Sequence, residues 1–499
     1  MKPIAVRLYD FTGGLNTKSP PMVLKLNEAS DLQNINLLPS GGFEKRNGNS
    51  VFNGVAMNSG VAVQGLGYFR TSLSADYMMA IAGAKIYKST NLSGTMDDIT
   101  SSVSITAGQD KIWTYVQMNN LAIFIGGAPD APLKWSGTGN AAVLGGSPPS
   151  GEFGISANGR LFIGNTASNP SRIQWSILGN PEDWSGTGSG SQDVGLNDGD
   201  TLVGASVVGL DTMLLFKQNS THMLNIRSAP FPLYPLFPNV GAVSKQGIVN
   251  VDGIIYFITP EPRMKATDGT NVISFPDSID NIWDGLGKTR LKYIHGVHNR
   301  RLRQLWWFVS TGTNSYNDLC IVWDLERKCW LKNPTGFKMN ANTFTADRIV
   351  YSGGYDGKIY KLDNSLATED ASETVPTING YWRSGWLDFS NTLEAKTPQY
   401  VDLVYVGGAD LDLTFSYGFD FNMDKIIEPI SNTSGDLWGV GLWGIMKWGG
   451  ETNLAKFINM RGSGKFFQYL VKHNTSNQVF KFNGLEFGVN KNEVRTLRS

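Results

Sequence analysis

The chain has 499 residues, and 43 lysines and arginines balance 43 aspartates and glutamates, so its formal net charge is zero. This length exceeds what one ordinary core serves, so we expect several domains or one large repeat architecture. The hydrophobic share of 41% and the aromatic share of 11% exclude a disordered chain. Zero net charge argues against a dedicated nucleic-acid binder, which would need a basic surface.

Scarce cysteine and histidine exclude further classes. Two cysteines are too few for a disulfide scaffold or a cysteine-rich zinc module, and four histidines leave little material for metal sites. The N-terminal residues MKPIAVRLYDFTGG lack the apolar stretch of a secretory signal. No apolar run approaches the roughly 18 residues of a membrane-spanning helix. We therefore expect neither a secretory signal nor a membrane span.

Residues 1–50 are predicted to form an N-terminal arm with one short helix. The segment NEASDLQNINLL, residues 27–38, is the best helical candidate in the chain. Asn27 can cap this helix, and Leu32, Ile35 and Leu38 would share one face.

Residues 51–363 contain a recurring pair of strands. An apolar strand is followed, after a turn rich in Gly, Asn or Asp, by a second strand. The repeat occurs at residues 77–88, 121–136, 160–176, 213–226, 254–267, 304–324 and 348–363, with start-to-start spacings of about 39 to 53 residues. This period is typical of β-propeller blades, which cover one another's faces when the ring closes. The sequence therefore predicts an all-β fold with a propeller of about seven blades. Stacked β-sandwiches are the alternative.

The composition changes after the repeats. Residues 364–378, DNSLATEDASETVPT, are polar and acidic and are predicted to be a linker. Residues 379–499 then contain alternating strand patterns. We expect a separate C-terminal β-sandwich-like domain there, or strands that pack beside the propeller.

No segment of the chain has the residue spacing of a known catalytic, metal-binding or cofactor-binding motif, so the chain is predicted not to be an enzyme. RGSGKFF, residues 461–467, lacks the first glycine and the Ser/Thr of a phosphate loop and is better explained as a hairpin turn. His295 and His298 would lie on opposite faces of a strand. GLNDGD, residues 195–200, offers oxygen ligands without EF-hand spacing and indicates a turn.

The most basic stretch, residues 288–304, includes Arg300, Arg301 and Arg303 near a predicted hairpin tip at Asn299–Arg300. Three roles remain open for these arginines: contact with DNA in a channel, a bridge to a neighbouring subunit, or plain solvation. The neutral chain provides no supporting positive field for the first role.

A tryptophan-rich segment, GDLWGVGLWGIMKWGG, spans residues 435–450. Trp438, Trp443 and Trp448 recur every five residues, which matches neither a helix nor a strand. These indoles are predicted to anchor a glycine-rich loop on another surface. That surface is either the same domain or a neighbouring subunit.

The order of these motifs resembles the tail nozzle proteins of short-tailed bacteriophages, also called tail tubular protein B or tail-stabilisation proteins. The resemblance starts with a Gly-Gly-Leu opening, a Glu-Ala and Leu-x-Asn segment, a glycine turn and a Lys-Arg-x-Gly end. These residues are Gly13, Gly14, Leu15, Glu28, Ala29, Leu32, Asn34, Gly41, Gly42, Lys45, Arg46 and Gly48. Residues 159–185, 243–269 and 319–332 and the tryptophan-rich segment also resemble this family.

The resemblance implies a structural virion protein of the tail, assembled in the host cytoplasm, that forms a ring, usually a hexamer. Such a ring lies below the portal and adaptor, extends the DNA ejection channel and anchors tail fibres or spikes. It implies transient passage of genomic DNA, no cofactor and no stable membrane insertion. A tail-associated propeller that binds or cleaves host surface polysaccharide is the alternative, and a bacterial propeller scaffold is a third possibility.

Overall fold

The computed structural model describes residues 4–491 except 196–197, 335, 366–376, 390–393, 408–410, 432–451, 477 and 479. Nearly all regular structure in these residues is β-strand. The helical segments in this part of the chain are one α-helical turn, Asp280–Asp284, and two 3₁₀ segments, Met57–Ser59 and Lys288–Tyr293. None of them is long and apolar enough to cross a membrane.

Seven four-stranded antiparallel sheets form the blades of a propeller. From the innermost to the outermost strand, blade 1 contains Val63–Arg70, Asp76–Ala82, Lys85–Thr90 and Asp97–Asp98, and blade 2 contains Thr114–Met118, Leu121–Ile125, Leu133–Trp135 and Ala142–Val143. Blade 3 contains Gly151–Ala157, Arg160–Thr166, Arg172–Trp175 and Gly190–Asp193, and blade 4 contains Leu202–Val208, Thr212–Lys217, Thr221–Asn225 and Leu233–Phe237. Blade 5 contains Val249–Val251, Ile254–Ile258, Met264–Thr267 and Val272–Ser274, and blade 6 contains His295–Asn299, Gln304–Val309, Leu319–Asp324 and Cys329–Asn333.

Blade 7 closes the ring with strands from two distant parts of the chain. Its inner strands are Met339–Phe344, Val350–Gly354 and Ile359–Ser365, and its outermost strand is Gly48–Val51. The innermost strands of blades 7 and 1 are in contact. The predicted all-β fold with about seven blades is therefore confirmed by the strand order.

The middle strands of the blades explain why the repeat was visible in the sequence. Gln304–Val309 and Leu319–Asp324 are buried along their whole length. A strand covered on both faces by neighbouring blades becomes a continuous apolar run rather than an alternating one. Each such run, followed by its paired strand, produces the repeating pattern.

Both ends of the chain build a β-sandwich of two six-stranded sheets. The first sandwich sheet contains Thr452–Asn459, Lys396–Gly407, Phe480–Lys491, Phe43–Lys45 and Ile35–Leu37, with Ile4–Leu8 paired to Phe480–Lys491. The second contains Gly14–Leu15, Glu28–Gln33, Gly380–Ser384, Phe467–His473, Asp412–Phe419 and Asn422–Ser431. The N-terminal residues are thus integral strands of the C-terminal domain rather than an arm.

The predicted helix over residues 27–38 is wrong. This segment forms two strands, Glu28–Gln33 and Ile35–Leu37, separated by Asn34 with a positive φ of 52°. A register shift between Ala29 and Asp31 brings Ala29 and Leu32, three residues apart, into the core together. Leu32 and Ile35, also three apart, are both buried because the chain breaks at Asn34 between the two strands, and this produced the spacing of a helix face.

The sandwich packs against the outermost strand of blade 6. The Asn34 N–H donates to the Lys332 carbonyl at 3.1 Å. A Cβ on Gly14 would lie 2.7 Å from the Cys329 side chain and from the Trp330 carbonyl, so the two backbones meet without room for a side chain. One hydrophobic cluster runs from blades 5 to 7 into the sandwich. The two domains consequently share a core, and most of the predicted linker lies outside the described residues.

Candidate functional site

The central channel of the propeller is bridged on the face that carries the connections between blades. The connection from blade 1 to blade 2 reaches residues on the far side of the ring. Its Asp110 pairs with Arg290, ahead of blade 6, at 2.9 Å, and its Ile112 carbonyl accepts from Lys245, ahead of blade 5, at 2.9 Å. Blades 5 and 6 lie opposite blade 2 in a ring of seven, so these contacts cross the axis.

Lys245 is the central group of this bridge. Its ammonium donates to the carbonyl oxygens of Ile112 and Glu152, at 2.9 and 2.6 Å, and lies 3.1 Å from a carboxylate oxygen of Glu152. Burial lowers the pKa of Lys245, and the Glu152 carboxylate opposes that effect. The neighbouring Gln246 side chain donates to the Trp113 carbonyl at 3.3 Å. Blades 2, 3 and 5 are thereby tied together at the channel mouth.

The bridge across the channel mouth restricts passage along the propeller axis. It is closed by side chains bonded to one another, so duplex DNA cannot pass along it. In the part of the chain that the structure describes, no group of three His, Cys, Asp or Glu side chains could hold a metal ion. The contacts of Lys245 and Arg290 thus close this mouth of the propeller.

Arg300, Arg301 and Arg303 form the turn between the first two strands of blade 6, on the face opposite the bridged mouth. Arg301 lies 2.7 Å from a carboxylate oxygen of Asp363, and Arg303 lies 2.6 Å from Glu326. The Arg300 guanidinium sits 5.1 Å from the centroid of the Phe344 ring. All three arginines have partners within the chain, and two of them pair with a carboxylate, so the structure brings them together as a turn whose charge is compensated in part.

Asp363 marks the junction where blade 7 ends and the N-terminal segment joins the propeller. Its carboxylate accepts from the Asn47 N–H at 2.7 Å, and its own N–H donates to the Asn49 side chain at 2.9 Å. Burial raises the pKa of Asp363 to about 6, while the positive charges of Arg301 and Arg46 oppose the rise. Sequence reasoning missed this residue, because its partners are more than 60 positions away.

The tryptophans of the predicted anchor, Trp438, Trp443 and Trp448, lie outside the described residues. The structure therefore does not test whether they contact their own domain or a neighbouring subunit. Their predicted contact remains a prediction.

The histidine, GLNDGD and RGSGKFF motifs of the sequence analysis all make contacts within the chain. His295 is buried, stacks on Phe308 at 4.6 Å and bonds the Met339 carbonyl at 2.8 Å. Its burial lowers its pKa to about 4, so it is neutral at physiological pH.

Asp198 of the GLNDGD segment pairs with the buried Lys217. In RGSGKFF, the backbone N–H groups of residues 465 and 466 donate to the Asp420 carboxylate at 2.8 and 3.0 Å, which makes the segment a turn.

Residues that carry the family resemblance cluster at the junction of the two domains. The buried Arg46 donates to the Asn34 side chain at 3.0 Å and to the Asn47 carbonyl at 2.8 Å, and its guanidinium lies 4.7 Å from the Phe337 ring. A Cβ on Gly42 would lie 2.2 Å from the Phe482 carbonyl. Arg46 thus packs against Phe337 beside the propeller, whereas Gly42 allows two strands of the sandwich to approach each other.

Comparison with known proteins gives similarities of fold only. No family model matches the chain, and no curated protein matches it. A structure of YCF48 bound to D1 peptide has a TM-score of 0.41 and 11% identity, covering 66% of this chain and 99% of the other. YCF48 from Cyanidioschyzon merolae has a TM-score of 0.42 and 10% identity, over 63% and 98%. The WD40 β-propeller domain of Doa1 has a TM-score of 0.40 and 8% identity, over 63% and 96%.

Proposed function

We propose that this chain is a structural subunit of a bacteriophage tail nozzle, which assembles into a ring below the portal and adaptor and lengthens the DNA ejection channel. The ring lumen lies between copies of the chain. Fibres or spikes attach to the outside of the ring, and the chain catalyses no reaction.

The bridged propeller axis is the observation that carries this proposal. Cross-channel contacts of Lys245 and Arg290 make each propeller a rigid block, and the shared core fixes the sandwich to it. A rigid two-domain block suits a building element of a ring better than a receptor that binds a ligand in its central pocket. The sequence resemblance points to the same class.

The charges agree with a conduit that does not retain its cargo. Six to ten strong phosphate contacts would bind DNA tightly and with steep salt dependence. Arg301 and Arg303, the best candidates for such contacts, are paired with Asp363 and Glu326. The whole chain is neutral. DNA would therefore pass without being held.

Sedimentation velocity of the purified chain, followed by electron microscopy of the largest species, tests the proposal. We expect a closed ring of several copies with a central opening wide enough for duplex DNA. A species that stays monomeric at all concentrations and does not join tail particles contradicts it. Binding of host polysaccharide by such a monomer would favour the alternative function.

A further inference from the structure

Besides the short strand Ile35–Leu37, which pairs only with Phe43–Lys45, two strands of the first sandwich sheet have a side that no described strand covers. One is Ile4–Leu8, called here the N-terminal strand, which pairs only with Phe480–Lys491. The other is Thr452–Asn459, called here the outer strand, which pairs only with Lys396–Gly407. Uncovered strand edges present unpaired backbone N–H and C=O groups to any strand that approaches.

These two edges lie on opposite sides of a run of four strands. Across the run, Leu8 is opposite Leu485, Leu485 is opposite Leu403, and Leu403 is opposite Lys456. Every pairing in the run is antiparallel, so the N-terminal strand and the outer strand point in opposite directions. An identical copy placed beside the first by rotation about an axis along the strands would bring its outer strand antiparallel to the N-terminal strand.

We propose that copies of this chain join head to tail by pairing the N-terminal strand of one copy with the outer strand of the next. This inference rests on the proposed ring and says how the ring is closed. A head-to-tail contact uses two different surfaces, and repetition of its rotation gives a ring. The first sandwich sheets of all copies would then form one continuous antiparallel sheet.

The backbone of the outer strand is oriented for this pairing. The Met460 N–H donates to the Gln399 carbonyl, next to the opposed residues Tyr400 and Asn459. In an antiparallel ladder this makes Asn459 and Tyr400 a pair without mutual hydrogen bonds. The N–H groups of Asn459, Phe457 and Ala455 therefore point away from the sheet, towards an incoming strand.

Side chains favour this partner over a pairing of two outer strands. Lys456 is the charged residue in the exposed segment of the outer strand. It lies opposite the buried Leu403, so its side chain is on the face of the sheet that is turned towards the core. Pairing two outer strands about their middle would bring Lys456 of both copies onto the same face, where like charges repel. Arg7 of the N-terminal strand bonds Glu486 on the opposite face, at 2.8 Å, and so does not oppose Lys456.

Cysteine cross-linking of the full chain tests the proposal. Ala5 and Ala455 are both exposed, and the register puts them on the same face of the sheet. Within one chain they are three strand spacings apart across the sheet, roughly 14 Å, and four residues apart along it, which is too far for a disulfide. The native cysteines are both buried. The chain with both Ala5→Cys and Ala455→Cys would be oxidised and run on a non-reducing denaturing gel, and Phe457→Cys or Asn459→Cys would replace Ala455→Cys to test the neighbouring registers.

The expected result is a ladder of covalent oligomers from the double variant, ending at the ring size, with neither single variant cross-linking. Covalent dimers from Ala455→Cys alone would show pairing of two outer strands and overturn the proposal. No cross-link between Ala5→Cys and a cysteine at any of the exposed positions Ala455, Phe457 and Asn459, in a chain that sediments as a ring, would also overturn it while leaving the proposed function standing. A wild-type chain that remains monomeric at all concentrations and does not join tail particles would overturn both.

A backbone variant gives an independent readout. Ala455→Pro removes an outward N–H without removing a bond to Lys396–Gly407, and edge strands tolerate proline at such positions. We expect it to raise the concentration needed for half assembly by about tenfold or more. Ala455→Val keeps the N–H and serves as the matched control. Equal assembly of the two variants contradicts the proposal.

Discussion

Lys245 illustrates how much one side chain can fix in a propeller. It joins the connection from blade 1 to blade 2 with blade 3 and the start of blade 5. Lys245→Met would leave the Ile112 and Glu152 carbonyls without their donor. We expect a loss of about 2–4 kcal/mol in the free energy of unfolding, measured by urea denaturation, because buried acceptors lose a charged donor.

Lys85→Met is the matched control for that measurement. Lys85 pairs with Asp98 at 2.8 Å, but both side chains are well exposed. Exposed pairs contribute little, so the free energy of unfolding should change far less than in Lys245→Met. Equal losses for the two variants would show that Lys245 does not bridge the channel.

Arg301 and Arg300 form a second matched pair at residue scale. Arg301→Ala would leave the buried Asp363 carboxylate without its guanidinium, whereas Arg300→Ala removes only a contact with the Phe344 ring. At pH 8 we expect a loss of about 1–3 kcal/mol for Arg301→Ala, reduced because Arg301 is half exposed, and less than about 1 kcal/mol for Arg300→Ala.

The Arg301 effect should depend on pH in a defined direction. The pKa of Asp363 is raised to about 6 by burial, so its carboxyl is ionised above that value and neutral below it. The ion pair therefore contributes at pH 8 and is lost as the pH falls through 6. Urea unfolding at pH 8 and pH 5 should show the two variants converging at pH 5. A constant difference between them would contradict the ion-pair account.

At the scale of elements, closure of the ring depends on the short strand Gly48–Val51 and the turn that follows it. The buried Asn53 side chain accepts from the Ile359 N–H at 2.6 Å and donates to the Val55 carbonyl at 2.8 Å. Asn53→Ala would leave a buried N–H of blade 7 without an acceptor. We expect a loss of about 1–3 kcal/mol.

Asn271→Ala is the control for that prediction, because Asn271 is exposed in a turn. It should change the free energy of unfolding by less than about 0.5 kcal/mol. Hydrogen exchange can localise the effect, since faster exchange of Ile359 in Asn53→Ala alone would identify the closing strand. Unchanged exchange there would rule out this role of Asn53.

The sequence predicts local elements of this fold well and distant pairings poorly. The propeller was predictable because each hairpin, such as Gln304–Val309 with Leu319–Asp324, pairs with its neighbour in sequence. The partnership of Ile4–Leu8 with Phe480–Lys491 spans nearly the whole chain and leaves no local signal. Glu28–Gln33 likewise owes its strand conformation to pairing with the distant Gly380–Ser384, so the local spacing of Leu32 and Ile35 could not distinguish it from a helix.

The site residues follow the same division. The local sequence pattern predicted the turn at Arg300. The ion pair between Arg301 and Asp363 could not be predicted in this way, because closure of the propeller ring brings Asp363 to the turn. The bridge at Lys245 had no signal, since two of its acceptors are the backbone carbonyls of Ile112 and Glu152 and the third, the Glu152 carboxylate, is 93 positions away. A carbonyl acceptor does not require a particular residue type, and so the sequence does not mark it.

At the scale of the whole molecule, the N-terminal segment ties two domains that the chain order separates. Residues 4–45 supply five strands to the sandwich, and Gly48–Val51 completes blade 7. The hydrophobic cluster continues from Trp330 in blade 6 to Trp382 in the sandwich. Cutting the chain between propeller and C-terminal domain should therefore not separate the two parts, because strand pairing and apolar burial hold them independently of the connecting peptide.

A protease site inserted within residues 366–376 tests this prediction. After cleavage, we expect both fragments to elute as one species in gel filtration and to separate only in denaturant. The same insertion with Trp330→Ala is the informative comparison, since loss of a fully buried indole at the shared core costs about 3–5 kcal/mol and should loosen the contact. Separation of the fragments without that substitution would mean that the domains are held by their linker. If the fragments elute together before the substitution and separate in part after it, the shared hydrophobic core holds the two domains together. A subunit needs such a core if force on one domain is to reach the other.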